Sequence, residues 1–272
     1  MAHTPLSVTI ITLNEESKIA KAIQSVSWAD DILIVDSGSS DRTLEIAKQN
    51  GARVLVNPWT GYGQQKNFAQ SHAKFPWVLN IDADEWVSKD LASEIRAHLD
   101  SLSTEPVHPT GFQIPRKTFY LGRWIKHGGW YPNYLHRLTH RDFAKWTEPE
   151  VHEKLEVHGE TVRLKNPLNH DAFDTIADQI LTNLKFARLG SKDLVWRGQQ
   201  PSIFKLLFKP LWKFIETFFL KRGFLDGLPG FIISINAAHS MFLKYAFLFE
   251  KKIRPVQRAN ATPIDYENSD HR

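Results

Sequence analysis

Two carboxylates spaced two residues apart behind a β-branched run are the side chains of this sequence best placed for chemistry. Asn80-Ile-Asp-Ala-Asp-Glu85 sets Asp82 and Asp84 at i and i+2, and in a strand or its exit such residues point the same way. Both can therefore face one divalent cation or one ribose. Asp36, ahead of Ser-Gly-Ser-Ser-Asp (37–41), adds a carboxylate for a base or sugar hydroxyl, small residues that permit close approach, and the start of a helix. Asp41 reads as the cap of that helix. In Gly61-Tyr-Gly-Gln-Gln-Lys-Asn67, Lys66 could neutralise a diphosphate. This run is no dinucleotide fingerprint, since its third glycine is missing, and no Gly-x4-Gly-Lys-Ser/Thr loop occurs anywhere.

These residues need elements that bring them to one edge. Residues 7–13 form a β-branched run with the length of a buried strand. Asn14 then reads as a helix cap, with Ile19, Ile23 and Val26 on one helical face. Strands at 32–35, 53–57 and 77–81 alternate with helices at 41–50, 64–73 and 88–99, and Gly51 closes the second helix. Such alternation with short connections predicts an α/β fold whose sheet is mainly parallel, with ligands at the carboxyl ends of its strands. Beyond a polar, proline-bearing connection at 101–110 the pattern becomes aromatic and turn-rich, with strands expected at 111–120, 134–140 and 154–164 in a mixed sheet. Helical periodicity returns after His170. The expected organisation is an alternating half at 1–100, an aromatic, turn-rich half at 101–170, a helical region at 171–258 and a disordered tail at 259–272.

Composition narrows the chemistry. The chain of 272 residues has 42% hydrophobic and 24% charged residues, which excludes a disordered or multi-span membrane protein. It has no cysteine, so thiolate metal sites, disulfides and cysteine nucleophiles are excluded. No export signal is evident at the N-terminus. The net charge of +4 is unevenly spread: Lys185–Arg258 holds 14 Lys and Arg against 4 Asp and Glu, and the rest is net acidic. Within it, Lys205, Lys209 and Lys213 make a stripe at i, i+4 and i+8 among Phe, Leu, Ile and Trp, and Pro210 should kink the helix. Gly227–Leu243 has 17 residues without a formal charge, interrupted by Pro229, Asn236 and His239, which favours a helix lying in an anionic membrane surface over a span. A core helix would account for the apolar face but not the lysines. Nucleic acid is not an expected partner, because no recognition module is present. A chain cut before Ile203 should then be soluble and still bind nucleotide.

The ordered set Ile-Thr-Leu-Asn-Glu-Glu (11–16), Val-Asp-Ser-Gly-Ser-Ser-Asp-Arg-Thr (35–43), Gly-Tyr-Gly-Gln-Gln-Lys-Asn (61–67) and Asp-Ala-Asp-Glu (82–85) resembles glycosyltransferase family 2, inverting enzymes with a nucleotide-diphospho-sugar donor. The resemblance implies a GT-A (Rossmann-like, nucleotide-sugar-binding) fold with C-terminal membrane-associating helices, in which 1–100 is the nucleotide-sugar donor-binding half and 101–170 the acceptor-binding and catalytic half. It also implies a divalent cation, Mg2+ or Mn2+, and a UDP-sugar donor held by Asn14, Glu15, Asp36, Ser37, Lys66, Asn67, Asp82 and Ala83. Asp36 would meet the uracil or its ribose, and Asp84 would be the metal ligand. Ser37 departs from the family, in which many members have a second aspartate.

Inverting transfer needs a general base on the acceptor side, while cations stabilise the departing diphosphate. Glu148-Pro-Glu-Val-His-Glu153 resembles the Val-His-Glu motif of one branch, which makes Glu153 the expected base and Glu150 its reserve. It is no metalloprotease signature, because Glu156 stands where the second histidine would be needed. His170 resembles the extra metal ligand of some GT-A enzymes. Trp130, Tyr131 and Arg137 look like acceptor-loop elements. With the late Gly-Phe-Leu-Asp-Gly-Leu-Pro-Gly (223–230), the chain resembles bacterial lipopolysaccharide inner-core β-glucosyltransferases: hexosyltransferases that are peripheral at the cytoplasmic face of the inner membrane and move glucose from UDP-glucose to a heptose. Transfer to a polyprenyl-phosphate or capsule acceptor is a second reading. A non-catalytic nucleotide-sugar-binding membrane adapter is a third.

Overall fold

A computed structural model describes residues 3–102, 108–148 and 153–253. The first hundred residues alternate as read: β1 (Leu6–Thr12), α1 (Ile19–Ser25), β2 (Asp31–Asp36), α2 (Thr43–Gln49), β3 (Arg53–Val56), α3 (Tyr62–Ser71), β4 (Trp77–Asp82), β5 (Glu85–Val87) and α4 (Lys89–Ser101). β3, β2, β1 and β4 pair in parallel in that order, so Thr12, Asp36 and Asp82 finish at one edge. Leu6, Val8 and Ile10 on β1 are fully buried, and Ser7 and Thr9 between them are buried too. A central parallel strand is covered on both faces, so its polar residues must find partners inside, and Thr9 Oγ1 donates to Asn80 Oδ1 at 2.7 Å.

The sheet does not stop at the polar connection. β6 (Gly111–Tyr120) and β8 (Asn133–His140) pair with each other, and β8 joins the edge of β4 antiparallel, with Leu79 opposite Leu138. β12 (Leu168–Asp171) runs parallel to β6 and antiparallel to β5, while β11 (Thr161–Arg163) and β7 (Arg123–Trp124) also pair with β6. A small ribbon of β9 (Ala144–Trp146) and β10 (Leu155–Val157) covers one side. The mixed character expected after residue 110 is therefore present, and both halves share one curled sheet.

Three helices follow: α5 (Ile176–Trp196), α6 (Ile203–Ile215) and α7 (Gly227–Ile253). α5 opens on a capping box between Thr175 and Asp178. α6 contains Pro210 and passes into a π-helical turn at Glu216–Leu220. Lys213 is not a free member of the lysine stripe, since its Nζ lies 3.1 Å from Glu216 Oε2. α7 is also no detachable appendage. Buried Gln179 Oε1 accepts from Tyr120 Oη at 2.7 Å and from Asn236 Nδ2, joining β6, α5 and α7. A cut before Ile203 would therefore strip partners from the sheet domain, which the sequence reading did not foresee. Among the described residues, Gly223–Ile253 is the one helical stretch long and apolar enough to cross a membrane, by length and composition.

Candidate active site

The carboxyl edge of the parallel strands is closed by two loops that fasten to each other. Asn14, expected as a helix cap, has φ of 55° and sits well before α1, whose first residue is Ile19. Its Oδ1 accepts from Ser40 N at 2.8 Å, and its own N–H donates to Ser39 Oγ at 2.8 Å. Glu15 N donates to Thr43 Oγ1 and Glu16 N to Asp41 Oδ2, while Asp41 Oδ1 accepts from Thr43 N at 3.0 Å; the cap position of α2 is held by Arg42, so Asp41, expected as the cap, braces the turn one residue before it. Asp36 anchors the second loop. It is fully buried, Oδ2 accepts from Gly38 N at 2.7 Å and Ser39 N at 2.8 Å, and Oδ1 accepts from Ser39 Oγ. A carboxylate followed by Ser-Gly-Ser finds donors within its own turn, so Asp36 shapes this loop. Ser37 Oγ accepts from Gln65 Nε2 at 3.1 Å and links the loop to α3.

α3 presents Lys66 to the middle of the site, where its Nζ is 3.2 Å from Asp82 Oδ1, 3.1 Å from Glu153 Oε1 and 4.5 Å from the Trp146 ring centre. Its neighbour Asn67 faces elsewhere. Asn67 accepts from Trp146 N and donates to Trp146 O, each at 2.9 Å, and reaches Glu148 Oε1 at 2.9 Å. Both ends of its amide are satisfied by the segment at 146–148, so Asn67 fastens the β9–β10 ribbon to α3. Gly63, one turn earlier, allows this approach: a Cβ there would stand 2.1 Å from the Thr147 carbonyl oxygen.

Under Lys66 lies a buried ion-pair cluster that the sequence did not reveal. Arg137, on β8, bonds Asp82 Oδ2 at 2.7 Å and Glu85 Oε1 at 2.6 Å, while Glu85 Oε2 accepts from Asp82 N at 3.0 Å. Arg137 therefore belongs to the floor of the site, not to an acceptor loop, because the β4–β8 register draws it under Asp82. Burial alone would raise the pKa of Asp82, but the charges of Arg137 and Lys66 outweigh it and hold the carboxyl far below its ordinary range. Burial opposes the charge on Arg137, yet Asp82 and Glu85 outweigh it and hold that guanidinium above its ordinary value. Ala83 is buried between the two aspartates.

Asp84 and His170, the two residues named above as metal ligands, lie side by side. His170 Nε2 is 3.4 Å from Asp84 Oδ2, and its Nδ1 is 3.2 Å from Thr118 Oγ1. A hydroxyl partner on Nδ1 leaves Nε2 and a carboxylate oxygen side by side, a donor set that suits Mn2+ or Mg2+. No cluster of three His, Asp or Glu side chains is formed among the described residues, so diphosphate oxygens or water would have to complete the coordination shell. Glu15, in the next loop, is pushed up to about 7 by burial and by the nearby charge of Asp84, with Lys18 opposing. Such a pile-up of negative charge is what a divalent cation relieves.

Beyond Glu153 opens a cavity of about 700 Å³ whose wall includes Gln113, Arg116, Tyr134, His136, Trp146 and Lys154. The residue types of these strands gave a pattern for strands and no sign that they enclose a cavity. Trp130 does not stand free as a sugar platform: it packs half-buried against Tyr120 and Phe173, their ring centres 5.9 and 6.3 Å away. Tyr131 is half-buried at a cis peptide to Pro132. Glu150 and His152 lie outside the described residues.

Residues 7–153, which include every residue of this edge up to Glu153, match the model of glycosyl transferase family 2. The chain belongs to that family. This family 2 chain has the GT-A fold, and it is 32% identical over 266 residues to the lipopolysaccharide core biosynthesis glycosyltransferase LpsC of Rhizobium meliloti, covering 92% of this chain and 95% of that one. An uncharacterized glycosyltransferase of Rickettsia typhi is 34% identical over 259 residues, covering 92% and 88%. Among solved structures, glucosyl-3-phosphoglycerate synthase of Mycobacterium tuberculosis with Mn2+, UDP and phosphoglyceric acid is 27% identical, covers 44% of each chain and gives a TM-score of 0.34.

Proposed function

We propose that this glycosyltransferase moves glucose from UDP-glucose, with inversion, onto a heptose of a lipopolysaccharide inner core. The observation that carries the reading is Lys66 bridging Asp82 and Glu153, which sets one carboxylate on the strand edge and one at the mouth of the cavity. The acceptor hydroxyl in the cavity attacks the anomeric carbon as its proton passes to Glu153, and the bond to the diphosphate breaks on the opposite face, releasing UDP. Lys66 lies where it can exchange Glu153 for a diphosphate oxygen, which frees the carboxylate to take that proton. A divalent cation, when bound, supplies charge neutralisation for the departing diphosphate, and Asp84 and His170 are the residues that would hold it. Asn14, Glu15 and Ser37 line the loops that would border the nucleotide. LpsC, similar over nearly the whole chain, supports a lipopolysaccharide core acceptor.

The helical region supports a peripheral seat on an anionic membrane at the cytoplasmic face. Ile203, Phe204, Leu207, Leu211 and Trp212 of α6 are each more than half exposed, beside Lys205 and Lys209. Such a face enters the acyl boundary while its lysines meet headgroups. The test is transfer from radiolabelled UDP-glucose, with Mn2+, to core lipopolysaccharides truncated at successive sugars. Product on a heptose-terminated core is expected. Release of UDP with no product on any core would overturn the acceptor, and failure to bind UDP would overturn the reading as a whole.

A further inference from the structure

The cavity beyond Glu153 carries positive charge that the transfer step leaves unused. Lys66 is engaged by Asp82 and Glu153, and Arg137 by Asp82 and Glu85. Arg116 is held more loosely. One of its Nη atoms reaches Glu85 Oε1 at 3.5 Å, and that oxygen already has Arg137 at 2.6 Å. Lys154 is exposed at the cavity wall, and its Nζ makes no ion pair among the described residues. Besides Glu153, the wall has one further carboxylate, the exposed Glu156. The neighbouring His136 adds no third cation through its contacts: Gln113, whose Oε1 accepts from Arg163 Nε at 3.0 Å, turns its amide donor onto His136 Nε2 at 2.9 Å, and His136 Nδ1 donates to Leu155 O at 3.2 Å. Between these polar groups, half-buried Tyr134, with the Arg163 guanidinium 4.6 Å from its ring centre, supplies aromatic surface, while Trp146 is buried behind Lys66.

We propose that this cavity takes an anionic sugar: an acceptor bearing a phosphate or carboxylate near the attacking hydroxyl, its oxyanion met by Arg116 and Lys154 and its ring by Tyr134. The inference rests on the reading of Glu153 as the base on the acceptor side. A guanidinium fork matches both oxyanions, and an ammonium adds charge without fixed geometry. A neutral sugar would leave both cations to solvent and gain only ring contacts. Arg116 and Lys154 are thus acceptor-specificity residues, whose loss should raise KM for the acceptor and leave donor affinity alone.

Mannose 6-phosphate, glucuronate and mannose are titrated calorimetrically into the full chain, with and without UDP and Mn2+, and UDP is titrated separately. At least one anionic sugar should bind about tenfold or more tighter than mannose, the scale of one charge-assisted hydrogen bond, and the two arms tell phosphate from carboxylate. Arg116→Gln with Lys154→Gln should abolish that preference with UDP affinity unchanged. Lys154→Gln alone, on an exposed side chain, should reduce it even if the double variant does not fold. The proposal is overturned if mannose binds as well as both anions, if neither anion saturates, or if the preference survives in the folded variants. Loss of UDP binding would instead defeat the donor reading, since the sugar preference is also measured without nucleotide.

Discussion

Lys66 Nζ sits 3.1 Å from Glu153 Oε1, and this contact spans 87 positions of sequence to join the third helix to the loop before β10. The side chain of Glu153 is 18% exposed, so the carboxylate is reachable from the cavity while one oxygen is tethered. Glu153→Gln keeps an oxygen for Lys66 and removes the proton acceptor. Turnover should fall about 10²–10⁴-fold, the usual contribution of a positioned base. UDP affinity should hold. Single-turnover kinetics beside calorimetry check this, and an unchanged rate would take the role away from Glu153.

Asp84 is the carboxylate through which Mn2+ should act. Asp84→Ala should remove the stimulation of UDP binding by Mn2+ and abolish turnover. Its carboxylate is 27% exposed and its removal relieves Glu15, so the melting temperature should not drop. Metal titrations in the presence of UDP read the first effect and thermal melts the second. A variant still stimulated by Mn2+ would refute the assignment.

Glu15 makes stability depend on pH. Its pKa is about 7 in the folded chain against an ordinary 4.5, so the native state keeps a proton that the unfolded chain gives up. That advantage is complete below pH 4.5, shrinks as pH rises, and is gone above about 7. Glu15→Gln should therefore flatten the fall in melting temperature between roughly pH 5 and 8 in metal-free buffer. Superimposable profiles for the two proteins would count against it.

Asp226 clamps the loop that leads to Trp130. Its buried carboxylate accepts from Lys126 N, His127 N and His127 Nδ1 at 2.7–3.2 Å. The turn before it is packed backbone to backbone, because a Cβ on Gly230 would lie 2.0 Å from the Gly223 carbonyl oxygen. Asp226→Ala should strand these donors at a cost of about 1–3 kcal/mol each where they stay dry. Urea unfolding gives the total. Hydrogen exchange at Lys126 and His127 should rise above that of β1, and equal protection would show that another group takes over.

Membrane binding should depend unequally on the lysine stripe. Lys205→Glu or Lys209→Glu should weaken co-sedimentation with anionic vesicles, each basic contact contributing about 1 kcal/mol near such a surface. Lys213→Glu should matter less, because Glu216 already compensates it. Added salt should erase the differences. Binding indifferent to lipid charge and to all three changes would assign the helices to a different role.

The sequence by itself determined the donor-side frame. The β-branched runs ending near Thr12, Asp36 and Asp82, separated by helices, require parallel strands that finish at one edge, because strand period, helix period and turn chemistry are local properties. It also singled out Asp82, Asp84 and Lys66, since the two aspartates lie at and just beyond the end of a strand and Lys66 lies early in the helix that follows β3. Tertiary structure decided the partners. Asp36 turned inward because its own turn supplies three donors, and Asn67 became a fastener because β9 arrives beside α3. Arg137 became the floor of the site because Leu79 pairs with Leu138, and the cavity exists because β9, β10 and β8 close around Lys66. None of these contacts leaves a periodic trace, for each joins residues brought together by strand register and loop closure, and a residue's type does not reveal which distant group will meet its hydrogen-bonding capacity.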